Sequence, residues 1–271
     1  MKIFISVDIE GVACISARSE IDMGQQSEFA PFGQQMTAEA TAACAGAYSA
    51  GAEEVTVKDA HWTGRNMDPH AFSAPDGKSL SLIRGWSGHP FAMVQGIDET
   101  FDGAAFVGYH SAAGVGGNPL AHTISGGKFA RVELNGDIAS EFLIYAYAAA
   151  SVGVPVVFLS GDRALCDEAT RRIDGIVTVP VLEGSGASCI SISPTEAIKR
   201  IQDGVENAVT ARNAAPLELP PEFHVRIVFN EHPTAYAKSF YPGADLTRDT
   251  DVSFESSSYF DVLRFLWFMA Q

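Results

Sequence analysis

The stretch KIFISVDIEG, at residues 2–11, decides the fold of this 271-residue chain. Its apolar residues run nearly without interruption up to Asp8, and such a run indicates a strand that is buried on both faces. Four more short apolar or β-branched runs share this character and lie at 54–58, 104–109, 155–160 and 176–181. Helices are predicted at 36–50, 138–151 and 163–173. The alternation predicts an α/β fold with an open, largely parallel sheet flanked by helices.

The regular alternation of short apolar strands and helices ends in the last third of the sequence. Ser193 and Pro194 suit an N-cap and a first helical position, so a helix is predicted at 194–212. The linker APLELPP follows, and the remaining predicted elements are a strand at 223–229, a helix near 232–239, a strand at 251–255 and a helix at 257–270. We therefore expect one α/β domain at 1–190 and a second, smaller α/β lobe at 191–271.

Composition narrows the range of partners. The chain has 18 Lys+Arg against 33 Asp+Glu, which gives a net charge of −15. Nucleic acids and anionic membrane surfaces are not expected partners, because both require clustered Lys or Arg. The four cysteines are widely spaced and form no C-x-x-C pair, and charges occur too early for a signal peptide. These features predict reduced thiols and a cytoplasmic location.

One uncharged stretch, FLIYAYAAASVGVPVVFLSG at 142–161, is long enough to cross a bilayer on a simple count. Gly153 and Pro155 interrupt it near its middle, and its first half is rich in alanine. A buried helix followed by a buried parallel strand explains the stretch better than a membrane span does.

Chemically reactive side chains follow three of the predicted strands. Asp8 and Glu10 end the first, His61 follows the second, and His110 follows the third. Ligands of open parallel sheets bind at the carboxyl ends of the strands, and these residue types bind zinc-like divalent metals. In an extended chain Asp8 and Glu10 point to the same side, where they repel each other unless a cation lies between them. The pattern predicts a metal site at this edge.

Two further residues fit the same site. His122 lies in the loop LAHTIS, after a Gly-rich segment. Glu141 is the last charge before the uncharged stretch, so it begins a buried helix and needs a partner there, for which a metal would serve. The dinucleotide, P-loop, G-x-S-x-G and H-E-x-x-H motifs are absent from the sequence.

These residues lie within motifs that resemble the D-aminopeptidase family, a group of dinuclear zinc peptidases known as peptidase family M55. The motifs are SVDIEG at 6–11, KDAH at 58–61, FVGYH at 106–110, AHTI at 121–124 and GDIASEFLIYA at 136–146. Order and spacing agree with the family over about residues 1–165, and the loop PGADLTRDT at 242–250 is similar as well.

The resemblance implies a role for each matching residue. The family's metal ligands match Asp8, Glu10, His61, His110 and Glu141. Asp8 would bridge two zinc ions, and His122 matches the catalytic histidine, which is not itself a ligand. Asp59, just before His61, could orient that ligand from behind. Known members of the family assemble as rings of five stacked into a decamer, so the resemblance also implies a homo-oligomer.

The function expected from the resemblance is that of a zinc-dependent aminopeptidase or amidohydrolase. Two metal ions would activate a water that releases N-terminal residues, D-amino acids such as D-Ala, from short peptides. One alternative is a metal-dependent amidase acting on another small amide. A phosphoesterase is disfavoured because Lys and Arg are scarce around the predicted ligands. A non-hydrolytic dipeptide-binding protein is the alternative from a different class.

Overall fold

Two β-sheets organise residues 1–271, all of which the computed structural model describes. The strands are, in chain order, β1 (Lys2–Val7), β2 (Glu54–Asp59), β3 (Ser79–Ile83), β4 (Gly103–Tyr109), β5 (Phe129–Leu134), β6 (Asp137–Ile138), β7 (Val156–Asp162), β8 (Val177–Ser185), β9 (Ser188–Ser191), β10 (Phe223–Phe229), β11 (Ala244–Arg248) and β12 (Asp251–Ser256). The helices are α1 (Arg18–Ile21), α2 (Gln26–Ser49), α3 (Glu141–Ala150), α4 (Arg163–Arg172), α5 (Pro194–Ala211), α6 (His232–Lys238) and α7 (Tyr259–Ala270).

The larger sheet has seven strands in the order β3-β2-β1-β4-β7-β8-β9. All neighbouring strands are parallel except β9, which pairs antiparallel with β8. Strand β1 pairs with β2 on one side and with β4 on the other, so the strand order reverses between β1 and β4. A reversal of this kind leaves a crevice at the carboxyl ends of the two strands, which is where such folds bind ligands. The predicted fold class is confirmed.

Both faces of β1 are buried, as its uninterrupted apolar run requires. Ile3, Ile5 and Val7 belong to one hydrophobic cluster, which includes residues of α2 and α5. Phe4 faces the other way and joins a second cluster with Phe142 of α3 and side chains of the smaller sheet. The sheet therefore has a helical layer on one face, while α3 and the smaller sheet cover the other.

The smaller sheet has five antiparallel strands in the order β11-β12-β10-β5-β6. Strands β5 and β6 precede residue 190 but pair in the smaller sheet with strands that follow it, and α5, which also follows it, packs against α2. The smaller sheet and the helical layer are thus each assembled from segments on both sides of residue 190. The division into 1–190 and 191–271 stays a prediction.

The structure differs from the predicted elements in the start of one helix and in several strands that were not predicted. Helix α2 begins at Gln26 rather than near residue 36, and it continues through Pro31. Strand β3, at Ser79–Ile83, lies in a segment that sequence patterns do not identify as a strand.

The uncharged stretch at 142–161 forms most of helix α3 and strand β7, as predicted. No helix in residues 1–271 has the length and apolar character needed to cross a membrane.

Candidate metal centre

The predicted site residues meet at the reversal point of the large sheet. Asp8 directly follows β1, His110 directly follows β4, and His61 lies just beyond β2. Glu141 is the first residue of α3, whose N-cap is Ser140. A carboxylate at this helical position is favoured by the dipole of the helix.

Two glycines allow the ends of β1 and β4 to come this close. The Gly11 N–H donates to the Gly108 carbonyl over 2.8 Å. A Cβ at Gly11 would lie 1.8 Å from the Tyr109 carbonyl oxygen, and a Cβ at Gly108 would lie 2.3 Å from that of Asp8. Gly108 also has a φ of +71°, which a residue without a Cβ adopts at little cost. The glycines of SVDIEG and FVGYH are therefore structural parts of the site.

Asp8 lies between two sets of possible ligands. His61 Nδ1 is 3.4 Å from Asp8 Oδ1 and 3.1 Å from Glu10 Oε2. On the other side, His110 Nε2 is 3.5 Å from both Asp8 Oδ2 and Glu141 Oε2. All five side chains are buried. The structure thus brings the predicted ligands together in two groups that share Asp8, which is the arrangement that a bridging carboxylate requires.

Backbone carbonyls fix which ring nitrogen each histidine presents to the carboxylates. His61 Nε2–H donates to the Ile21 carbonyl at 3.1 Å, which leaves Nδ1 to face Asp8 and Glu10. In His110, Nδ1–H donates to the carbonyl of Ser111 at 2.9 Å, which leaves Nε2 facing inward. Such second contacts are typical of metal-binding histidines, because they set the tautomer and the ring orientation.

The pKa values of most of the clustered side chains are shifted in the directions expected when buried carboxylates lie next to positive charge. Burial, together with the charge of Glu10, raises the pKa of Asp8 well above its usual value. Burial opposes ionisation of Glu10, yet the nearby His61 holds the pKa of that carboxyl well below its usual value. Burial likewise disfavours the charged forms of His61 and His110, but the carboxylates around them raise both pKa values. The pKa of each group is therefore set by burial and by the charges of its neighbours.

The residues present fit divalent metal ions. Glu10 Oε2 and His110 Nε2 are buried and have no hydrogen-bond partner. Unpaired buried polar atoms are costly, and both are of a type that coordinates zinc. The donor set, the burial and the unpartnered atoms therefore agree with a two-metal centre, and the ligand assignment itself stays a prediction.

His122 lies at the outer side of this cluster. Its ring stacks on that of His110, with the centroids 4.5 Å apart. Its Nδ1–H donates to the Leu120 carbonyl, and its Nε2 is 3.8 Å from Glu141 Oε1. The side chain is 23% exposed, unlike the five buried residues. His122 is placed to exchange protons with the cavity, although one of its ring nitrogens also lies within 4.8 Å of ligand atoms of Glu10 and His110.

Several residues that hold the site in place were not identified from the sequence. The side-chain amide of Asn66 donates to the His61 carbonyl, and the amide of Asn118 donates to that of Glu10. Asp162 accepts both the N–H and the hydroxyl of Ser111. These contacts act through loop backbone, whose path the sequence does not reveal. Asp162 ends strand β7, however, so the strand-end rule could have found it.

Asp59 acts on His61 differently from the prediction. Its carboxylate accepts the N–H groups of Asn66 and Met67, and Asn66 in turn holds the His61 carbonyl. The ring of His61 is oriented by Ile21 instead. Asp59 therefore supports the backbone of the loop rather than the imidazole.

The cluster opens into a cavity of about 630 Å³. Asp8, Glu10 and Glu141 line it together with His61 and His122. No lysine or arginine does so, and apolar side chains form much of the remaining wall. The cavity therefore offers no cationic side chain that would bind a phosphate.

A parallel sheet with a buried carboxylate and imidazole cluster at its reversal point, opening into a cavity, defines a metal-dependent hydrolase of the α/β class. The model of the D-aminopeptidase family, Peptidase M55, matches residues 1–268, and the chain belongs to this family. A curated relative, the D-aminopeptidase of Bacillus subtilis (strain 168), is 28% identical over 274 residues, which cover 100% of this chain and 97% of the relative.

A solved structure shares the fold. It is described as the Zn-dependent D-aminopeptidase DppA from Bacillus subtilis, a self-compartmentalizing protease. The two chains are 28% identical and superpose with a TM-score of 0.91, covering 99% of this chain and 96% of the other. The resemblance inferred from the sequence is confirmed, and it extends over the C-terminal region as well as residues 1–165.

Proposed function

We propose that this protein is a zinc-dependent D-aminopeptidase that hydrolyses the first peptide bond of short peptides and releases an N-terminal D-amino acid. The observation that carries the proposal is the meeting of five ligand-type side chains, in two groups sharing Asp8, at the head of one cavity. The D-aminopeptidase relative and the Zn-dependent structural neighbour support the choice of bond and metal.

In this proposal two zinc ions are held by Asp8, Glu10, His61, His110 and Glu141. Bound zinc supplies a Lewis acid for the scissile carbonyl and lowers the pKa of a water molecule, so that a nucleophile exists at neutral pH. The chain's own contribution is a dry, acidic pocket in which these side chains are already oriented by backbone contacts.

His122 moves the proton in the proposed reaction. The water oxygen attacks the carbonyl carbon while His122 Nε2 takes the proton that the water loses. When the C–N bond breaks, the same nitrogen returns a proton to the departing amine. The hydrogen bond from Nδ1 to Leu120 keeps Nε2 directed at the cluster throughout. The carbonyl that is attacked belongs to the N-terminal residue, so that residue lies at the metal centre during the reaction.

We propose further that the chain works as a homo-oligomer, a ring or a stacked decamer, in the cytoplasm. The description of the structural neighbour as a self-compartmentalizing protease supports assembly. Three exposed apolar side chains near α6 offer a surface for it: Tyr236, Phe240 and Leu246. All four cysteines are free thiols, which agrees with a reducing compartment.

A substrate panel tests the proposed activity. The zinc-loaded protein should hydrolyse D-Ala-D-Ala and other D-peptides, and chelation should abolish the activity until zinc is restored. L-Ala-L-Ala and p-nitrophenyl phosphate serve as controls and should be poor substrates. If the protein hydrolyses simple amides but not peptides, the amidase alternative is favoured. If it binds dipeptides for hours without hydrolysing them, it is a binding protein.

A further inference from the structure

The chain has three tryptophans, and all three line the cavity that holds the metal cluster. Trp62 follows His61 directly, Trp86 lies in the loop after β3, and Trp267 belongs to α7. Neither the metal ligands nor the proton transfer requires an aromatic wall. Large aromatic side chains in a cavity supply apolar contact area for a ligand, so this wall indicates a second role for the cavity.

Trp86 is held firmly in this wall. Its indole N–H donates to the Trp62 carbonyl over 2.6 Å, and the Lys58 ammonium lies 4.0 Å from its ring centroid. Lys58 is buried and is itself fixed by donation to the carbonyls of Asp59 and Gly85. Contacts of this kind hold the Trp86 side chain in place, so little conformational entropy is lost when a ligand binds against it.

The wall continues onto the last helix. Leu263, Leu266 and Trp267 of α7 line the cavity, and the Trp267 ring lies 6.4 Å from that of Trp86, centroid to centroid. Lys128 Nζ donates to the carbonyl oxygens of Ala270 and Gln271, each over 2.6 Å. These bonds hold the end of α7 against the cavity, so the wall is in place before a substrate binds.

The position and size of the wall identify what it contacts. In the proposed reaction the carbonyl of the N-terminal residue lies at the metal centre, and the α-carbon next to it carries the first side chain. That side chain must therefore lie in the same cavity of about 630 Å³, which far exceeds the needs of a methyl group. A cationic side chain is disfavoured because the Lys58 charge already lies against Trp86.

We propose that this apolar wall is the subsite for the side chain of the substrate's N-terminal residue, and that the preferred side chain is large and apolar rather than the methyl of alanine. The inference rests on the proposed aminopeptidase function. It adds that the enzyme selects aromatic and branched aliphatic residues through the surface formed by Trp86 and α7.

The test compares kcat/KM of the zinc-loaded protein for p-nitroanilides of D-Phe, D-Leu, D-Ala and D-Arg. The D-Phe or D-Leu substrate should exceed D-Ala by at least about tenfold, since single methylene groups in apolar pockets already discriminate by this order. A D-Ala substrate that is cleaved equally well or better would overturn the inference, and so would a preference for D-Arg.

A matched pair of variants tests the wall itself. Trp267→Ala should lower the ratio of kcat/KM for D-Phe over D-Ala by about tenfold or more, because it removes apolar contact area. Phe268→Ala changes the next residue of α7, whose side chain is 50% exposed and does not line the cavity. This control should keep the ratio of the unchanged protein, and an equal fall in both variants would contradict the assignment.

Tryptophan fluorescence separates this inference from the proposed activity. Because every tryptophan lines the cavity, a ligand in the subsite should change the emission in a saturable way. D-Phenylalaninamide should bind at least about tenfold more tightly than D-alaninamide, by the same contact argument. If no peptide or anilide is hydrolysed, the proposed function fails while this titration still decides the subsite, and equal or absent binding would overturn it.

Discussion

Three backbone carbonyls set the roles of the three histidines in the cluster. Each accepts one ring N–H, and the other ring nitrogen of each histidine is thereby turned toward the carboxylates. His61 and His110 are buried, whereas His122 is partly exposed. The two buried rings are therefore suited to permanent ligation, and the exposed ring is suited to proton exchange with substrate.

Replacing His122 by Ala should lower kcat by about 10²–10⁴-fold, because the reaction loses its proton-transfer group. The zinc content should stay that of the unchanged protein, measured by plasma mass spectrometry. His70→Ala is the control, since His70 is exposed and lies outside the cavity. Loss of zinc from the His122 variant would instead make this residue a ligand.

Asp8→Ala should remove both zinc ions, because Asp8 belongs to both groups of candidate ligands. Asp76→Ala, at an exposed position away from the cluster, should leave the metal content unchanged. Metal analysis after reloading with zinc distinguishes the two variants. Retention of both ions without Asp8 would refute its bridging role.

At the scale of elements, the strands of the large sheet could be predicted because burial on both faces leaves an unbroken apolar run. Strand β3 was not predicted, because it lies at the edge of the sheet and is only half-buried, so it lacks an unbroken apolar run. Its sequence, SLSLI, also lies within a segment rich in Gly, Pro and Ser. The start of α2 was placed ten residues late, since Pro31 and Gly33 lower helical propensity. Burial of Phe29, near the start of α2, in the same hydrophobic cluster as Met67 outweighs that local preference.

Part of the candidate site could be predicted from the sequence for a similar physical reason. Asp8 and His110 were identifiable because strand ends in a parallel sheet share one edge, and Glu141 was identifiable as the charge that begins a buried helix. Asn66 and Asn118 were not, because they act on backbone carbonyls of loops that are distant in sequence. The antiparallel pairing of the smaller sheet was also unforeseen, since β5 and β10 are about 90 residues apart.

Helix α2 carries a buried carboxyl that links stability to pH. Glu39 Oε1 accepts the Ala13 N–H and the Gln35 amide, while Oε2 has no partner. Burial raises the pKa of Glu39 from the usual 4.5 to about 7. The folded state therefore keeps a proton that the unfolded state releases, so this group lowers stability as pH rises from 4.5 to 7, and the whole cost remains above 7.

Glu39→Gln should remove this dependence, because glutamine resembles the protonated side chain. Above pH 7 the variant should have the larger free energy of unfolding, by on the order of 3 kcal/mol, and near pH 4 the two proteins should be alike. Urea unfolding across this pH range measures the difference. Glu28→Gln, at an exposed position on the same helix, should follow the unchanged protein. Parallel curves for Glu39→Gln and the unchanged protein would show that Glu39 has the same pKa in the folded and unfolded states, and they would contradict this prediction.

At the scale of the whole molecule, the net charge of −15 belongs mainly to the surface. Only three of the 33 acidic residues lie in the metal cluster, and two dications would more than balance them. The surface charge favours solubility and opposes binding to nucleic acids. What distinguishes the site is the position of those three carboxylates beside buried histidines.

The proposed assembly predicts a surface that the isolated chain leaves uncovered. Tyr236 and Phe240 are 59% and 72% exposed and contact each other at a centroid distance of 5.2 Å. Replacing both by Asp should shift the protein to a smaller oligomer in light scattering, because charges oppose burial at an interface. Ile190→Ser is the control, since Ile190 is a single exposed side chain that needs no partner. An unchanged mass for the double variant would place the interface elsewhere.

The central claim is that one buried cluster holds two catalytic zinc ions. Its most direct test is the zinc content per chain of the purified protein, measured together with D-peptide hydrolysis while a chelator removes the metal and added zinc restores it. We predict close to two ions per chain, with activity lost and regained in step with the metal. Full hydrolytic activity in protein that contains no metal would contradict the account.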